Sequence, residues 1–75
     1  MKKIVDGKMY DTDTSEEIYL DEMTNRRIFQ TKKGNYFLLY PNGEVVPKTE
    51  AEVKEFLGLN DAEKYIALFG EVEEA

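Results

Sequence analysis

The residues of this chain that could do chemistry are carboxylates, and the densest run of them, Asp11 to Glu22, holds six acids and no base. Counted from Asp11, the run has the register of a calcium loop. Asp11 stands at position 1, Asp13 at 3, Ser15 at 5, the backbone of Glu17 at 7 and Glu22 at 12. Position 6 is Glu16, where the loop's sharp turn calls for glycine, and the preceding Asp6-Gly7 reads as a turn between strands. The same residues suit an acidic helix N-terminus, where carboxylates meet free backbone N–H groups and the positive end of the helix dipole. Paired carboxylates also hydrolyse glycosidic bonds, but one of the pair must be buried enough to keep its proton, and no acid here lies inside an apolar run. With no histidine and no cysteine, Ser15 has no base at recognisable spacing, and Gly34 and Gly43 stand alone without forming a phosphate-cradling loop. The expectation is a binding protein and not an enzyme, with no catalytic residue, metal or cofactor.

Charge distribution adds a direction. Met1 to Gly43 is neutral, with seven acids and seven bases, whereas Glu44 to Ala75 carries nine acids against three lysines. The net charge of -6 disfavours direct contact with nucleic acid, since phosphates are bound by clustered cations. Arg26, Arg27, Lys32 and Lys33 form the one local basic group, of the kind that keeps an exposed hairpin soluble. Net charge of this sign also serves solubility, and its functional reading is imitation of nucleic-acid phosphates in a basic channel. No apolar run is long enough to cross a membrane or act as a signal peptide, so a cytoplasmic location is expected.

These side chains need elements to hold them. At 75 residues, 41% hydrophobic and 35% charged, the chain reads as one globular domain over 1–75 without disulfides. Ile4-Val5, Asp6-Gly7 and Lys8-Met9-Tyr10 read as a first hairpin. Thr14 and Glu17 have capping-box spacing, which predicts a short acidic helix from Ser15 to about Asp21 with Ile18 and Tyr19 turned inward. Arg27 to Thr31, Asn35 to Tyr40 and Glu44 to Val46 read as a three-strand meander, turned at Lys32-Lys33-Gly34 and Pro41-Asn42-Gly43 and ended by Pro47. Thr49 with Glu52 caps a helix carrying Val53, Phe56 and Leu57 on one face, with Gly58 as its stop. Asn60 or Asp61 caps a last helix with Ala62, Tyr65, Ile66 and Phe69 in a stripe, and 71–75 reads as a frayed tail. The fold class expected is α+β: a small antiparallel sheet of three or four strands, two C-terminal helices on one face, and the short acidic helix near the N-terminus.

One strand bears on partners. Tyr36, Leu38 and Tyr40 point to one face and Phe37 and Leu39 to the other, so both faces of the sheet are apolar. A small sheet with helices on one side should show a polar second face. The first hairpin and short helix are the favoured cover; otherwise a second copy or a target protein supplies it, and tyrosines are enriched at such interfaces. Leu59 and Leu68 lie off the helical stripes and are further interface candidates.

Gly7-Lys-Met-Tyr-Asp-Thr-Asp-Thr-Ser-Glu-Glu-Ile18, Thr31-Lys-Lys-Gly-Asn-Tyr-Phe-Leu38, and Glu44-Val-Val-Pro-Lys-Thr-Glu-Ala51 with Phe56-Leu57 resemble a group of small proteins from phages and mobile elements of Gram-positive bacteria. The resemblance spans Gly7 to Leu57, with Ser15 where the group has alanine and a short connection between Glu22 and Arg27. Small acidic phage proteins of this kind include inhibitors of CRISPR–Cas nucleases, and the resemblance implies that role. The resulting expectation is a non-catalytic inhibitor in the host cytoplasm that binds a bacterial protein or ribonucleoprotein, a CRISPR effector, through carboxylates acting as a nucleic-acid mimic. Asp11, Asp13, Glu16 and Glu17 are the first candidate contacts, Asp21 and Glu22 the next, and Tyr36 and Tyr40 the apolar anchor. The alternative is a homodimeric structural or regulatory adaptor whose seam is the second sheet face.

Overall fold

Every strand in this protein is antiparallel and joined to the next by a tight turn, and the turn residues explain why. The computed structural model describes all residues, Met1 to Ala75. Strands β1 (Lys2–Val5) and β2 (Lys8–Asp11) form a hairpin whose two turn residues, Asp6 and Gly7, have φ of 51° and 77°. Positive φ at both central positions matches the right-handed twist of the flanking strands. Strands β3 (Glu16–Asp21), β4 (Arg26–Gln30), β5 (Tyr36–Leu39) and β6 (Val45–Lys48) form a separate four-stranded meander in that order. Between β4 and β5 the Gly34 N–H donates to the Thr31 carbonyl at 2.9 Å, and Gly34 has φ 88° where a Cβ would be strained.

Three expectations are corrected. The short acidic helix expected from Ser15 to Asp21 is strand β3: Thr12 to Ser15 form the turn, and Glu16 to Asp21 pair with β4. The apolar pair Ile18-Tyr19 sits at a register shift between Glu17 and Tyr19, so both side chains reach the helix-side core. That irregularity breaks the alternation by which a strand is read. Pro47 does not end β6 but lies within it, a position open to proline because β6 is an edge strand. Gly58 does not stop the first helix.

Helix α1 (Glu50–Asn60) opens with the complete capping box: Thr49 Oγ1 accepts from the Glu52 N–H at 3.1 Å, and Glu52 Oε1 accepts from the Thr49 N–H at 2.9 Å. It runs through Gly58 and ends where the Asp61 N–H meets the Leu57 carbonyl. Asp61 then caps α2 (Ala62–Phe69) through the Lys64 N–H at 3.1 Å. Glu71 to Ala75 follow without regular structure.

The sheet is closed on both faces. Ile18, Ile28, Tyr36 and Leu38 face α1, where Val53 and Leu57 are fully buried. On the opposite face Phe29 and Phe37 stack at 5.1 Å with an interplanar angle of 7°, Val45 lies beside them, and Tyr10 of the hairpin meets Phe37 edge-on at 5.4 Å. The first hairpin alone therefore supplies the cover. The chain is α+β, with helices on one side of the meander and a two-stranded layer on the other.

Candidate functional site

The carboxylates of residues 11–22 are distributed along β3 and its two ends, not gathered at one point. Asp11 closes β2 and is 4% exposed; its Oδ1 accepts the Asp13 N–H at 2.9 Å and lies 3.9 Å from the N-terminal ammonium. Asp13, with a side chain 79% exposed, stands 3.4 Å from the same ammonium. Along β3, Glu16 faces Gln30 and Glu17 faces Phe29, so these neighbours emerge on opposite sides of the sheet. Asp21 and Glu22 lie at the far end of the strand. Residues 11–22 thus run as strand end, turn and strand, and no three acidic side chains come close enough to hold a metal ion together.

The absence of bases within this run is made good from across the sheet. Arg27 Nε reaches Glu17 Oε1 at 3.4 Å, and Arg26 Nη2 reaches Asp21 Oδ2 at 3.2 Å. Asp21 also accepts from the Thr24 hydroxyl at 2.8 Å and the Met23 N–H at 3.2 Å. The Thr24 hydroxyl above all, with Arg26 and Met23, holds this carboxyl below its usual range against the opposing effect of desolvation. Four of the six acids therefore have a cation within 4.0 Å, leaving Glu16 and Glu22 free. Sequence order hides this, because β4 brings Arg26 and Arg27 alongside β3 only through strand pairing. The basic group is divided by the same pairing, and only Lys32 and Lys33 remain unpaired at the β4–β5 turn.

The two tyrosines have different fates. Tyr36 is buried beneath the helices, with its hydroxyl accepting from Gln30 Nε2 at 3.3 Å and its ring 6.4 Å from Phe69. Burial, and then the Glu50 charge, raise its phenol above the ordinary value despite Lys54. Tyr40 is half-buried at the wall of a cleft of about 340 Å³ between α1 and the sheet, floored by Ile28, Leu38, Val53 and Phe56. Arg26 lines this cleft with its guanidinium 5.3 Å from the Phe56 ring centre. Beyond Arg26, the β3–β4 turn approaches the junction of α1 and α2, where Tyr19 meets Phe56 edge-on at 5.9 Å. The Tyr19 phenol is raised by burial first and then by Asp61, Asp21 and Glu22. Acids far apart in sequence thus converge on one side chain. The signals available in the sequence for this end were Leu59, off its helical stripe, and Met23, an apolar residue in a turn.

No helix is long and apolar enough to cross a membrane. No protein-family model, curated protein or solved structure matches the chain.

Proposed function

We propose that this protein is a non-catalytic inhibitor of phage or mobile-element type that binds a bacterial CRISPR effector in the host cytoplasm and occupies a basic nucleic-acid site. The observation that supports the reading is that β3 is an edge strand, with Glu16 and Glu17 exposed on its two faces, Asp13 exposed in the turn before it and Glu22 in the turn after it. From Glu16 to Asp21 the strand extends over about 16 Å, at roughly 3.3 Å per residue. The partnerships of Asp13 and Glu17 are exposed ion pairs worth little in water, so they yield readily to a polycationic surface. Asp11, Asp21 and Tyr36 are occupied within the fold, and the contact set contracts to Asp13, Glu16, Glu17 and Glu22 with Tyr40 as an accessible aromatic. The CRISPR assignment draws on the resemblance of Gly7 to Leu57; the surface itself asks for a cationic partner.

The test is inhibition of guide-loaded effector nucleases from Gram-positive hosts, with DNA cleavage and complex affinity measured at several salt concentrations. Reversing Asp13, Glu16 and Glu17 to lysine is expected to weaken binding by about tenfold or more, and wild-type affinity should fall as salt rises. Salt-insensitive inhibition would remove the mimicry mechanism and leave the inhibitor. Undiminished cleavage at saturating protein would remove both. A homodimeric adaptor is the other reading, but the second sheet face lies beneath the first hairpin, so its seam would have to be a different surface.

A further inference from the structure

Two apolar side chains are exposed where the fold gives them nothing to cover. Met23 is 96% exposed in the β3–β4 turn, and Leu59 is 80% exposed in the last turn of α1. They border two adjoining depressions that share Asn60: the cleft over Val53 and Phe56, and a second of about 360 Å³ walled by Tyr19, Leu20 and Met23. The surface between them is fixed. Phe56 is held by the Tyr19 edge on one contact and Arg26 on another, and Asn60 Nδ2 donates to the Phe56 carbonyl at 2.8 Å.

Charge selects among the occupants such a surface could take. Around the two depressions stand five carboxylates and two cations. Arg26 is paired with Asp21, and Lys48 lies beside Glu52. Glu22, Glu55 and Asp61 have no cation within 4.0 Å. Asp61, Asp21 and Glu22 all lie near enough to act on the Tyr19 phenol, which reflects the same concentration of charge. Nucleic acid and an anionic membrane are repelled by such a site, and a second copy would set carboxylates against carboxylates. A segment with an apolar stripe flanked by lysine or arginine satisfies both the exposed apolar groups and the unpaired acids.

We propose that this end of the molecule docks a basic amphipathic segment of a partner protein, with an apolar side chain entering beside Met23 and Leu59 and cationic neighbours meeting Glu22, Glu55 and Asp61. The site shares Glu22 with the edge-strand reading, whose other acids, Asp13, Glu16 and Glu17, lie at the other end of β3.

The experiment uses the full chain labelled with ¹⁵N and titrated with a helical Leu/Lys amphipathic peptide at about 0.15 M salt, with oligolysine of equal charge as control. Amide shifts are expected in Tyr19 to Met23 and Leu59 to Asp61. The double variant Met23→Ser/Leu59→Ser, checked for native amide dispersion, should bind the peptide about tenfold more weakly or worse. Lysine at Asp13, Glu16 and Glu17 should leave that affinity within about threefold of wild type, because exposed charges at the far end are screened. Equal affinity for oligolysine, shifts centred on Asp13 to Glu17, or an unchanged affinity in the double variant would overturn the proposal. So would a dimer seen by light scattering that the double variant dissolves, since the occupant would then be a second copy.

Discussion

The two faces of the β4–β5 pair are both apolar and both covered, but by layers of different strength. On one side α1 has its own capping box and two fully buried side chains, Val53 and Leu57, with α2 packing behind it through Tyr65 and Phe69. On the other side the cover is a hairpin with four residues in each strand, attached mainly through Tyr10, with Val5 at its margin. An isolated two-stranded hairpin is marginal in water, so this layer depends on the aromatic surface beneath it. The difference shows how a short chain without disulfides closes a sheet that has no polar face. One side is covered by capped helices anchored by fully buried Val53 and Leu57, the other by a minimal element recruited by Phe29 and Phe37.

The largest effect expected is therefore at Phe37, which is fully buried, stacked on Phe29 and capped by Tyr10. Phe37→Ala should cost about 3–5 kcal/mol in urea denaturation, and Leu57→Ala under the helices about 2–5 kcal/mol. Either loss is comparable with the whole stability of a small domain. The two variants should differ in what they release. Phe37→Ala should free amides of Lys2 to Asp11 to exchange before those of α1, and Leu57→Ala should free the helices first. Exchange that rises uniformly in both variants would show that the layers form one cooperative unit, and the contrast would fail.

Next come the caps, which act on the helix side alone. Thr49→Ala removes a reciprocal pair of hydrogen bonds and should lower stability by about 1 kcal/mol. Removing the Asp61 side chain deprives α2 of one cap bond, at a cost of up to about 1 kcal/mol, and α2 has no fully buried residue. Its effect should appear as fraying of Ala62 to Phe69 in amide exchange, with the denaturation midpoint moving less than for Thr49→Ala.

What could be read in the sequence follows the same division. The meander was legible because the turn residues Gly34 and Gly43 bound short apolar runs, and α1 because Thr49 and Glu52 form a cap that the structure contains. Strand β3 was misread because Thr14 and Glu17 mimic a capping box and the register shift at Ile18 removes the alternation that would have identified a strand. The helix end was misplaced at Gly58 because a stop of that kind requires a left-handed glycine, and Gly58 keeps helical backbone. For the candidate contacts, Asp13 and Glu16 were legible as exposed acids. The burial of Asp11 and Tyr36 depends on which layer folds over them, and the pairing of Glu17 and Asp21 on which strand lies alongside. The convergence of Asp21, Glu22 and Asp61 is likewise tertiary, since some forty residues separate its parts.

Gly58 also offers a way to strengthen the helix layer. A Cβ there would meet Tyr65 Cδ2 at 3.8 Å, an ordinary van der Waals contact with no clash. Gly58→Ala should raise stability by about 0.5–1 kcal/mol, because alanine reduces the backbone freedom of the unfolded chain and favours helix. The unfolding midpoint should rise while protection in Lys2 to Asp11 relative to the sheet stays as it was. A fall in stability would mean that α2 needs a closer approach to α1 than this contact allows.

The smallest expected effect is a pH dependence at the β3–β4 turn and the first turn of α1. Asp21 and Glu52 are both held below their usual carboxyl range, Asp21 chiefly by the Thr24 hydroxyl and Glu52 chiefly by the Thr49 backbone N–H and then its side chain. A carboxyl depressed in the folded state binds its proton more readily once unfolded. Its contribution is therefore complete above the unfolded value and is lost as pH falls through the folded one. Both groups are near the surface, so water screening keeps the effect small. Acidification below about pH 4 should loosen the β3–β4 turn and the first turn of α1 before it disturbs the Phe29–Phe37 stack. Amide exchange and aromatic ring shifts followed together from neutral pH downward would resolve the order. Replacing Asp21 with asparagine and Glu52 with glutamine should flatten this part of the profile. If the doubly substituted protein kept the wild-type acid response, the stabilisation would have to come from other carboxylates, and the helix layer would not be the acid-sensitive one.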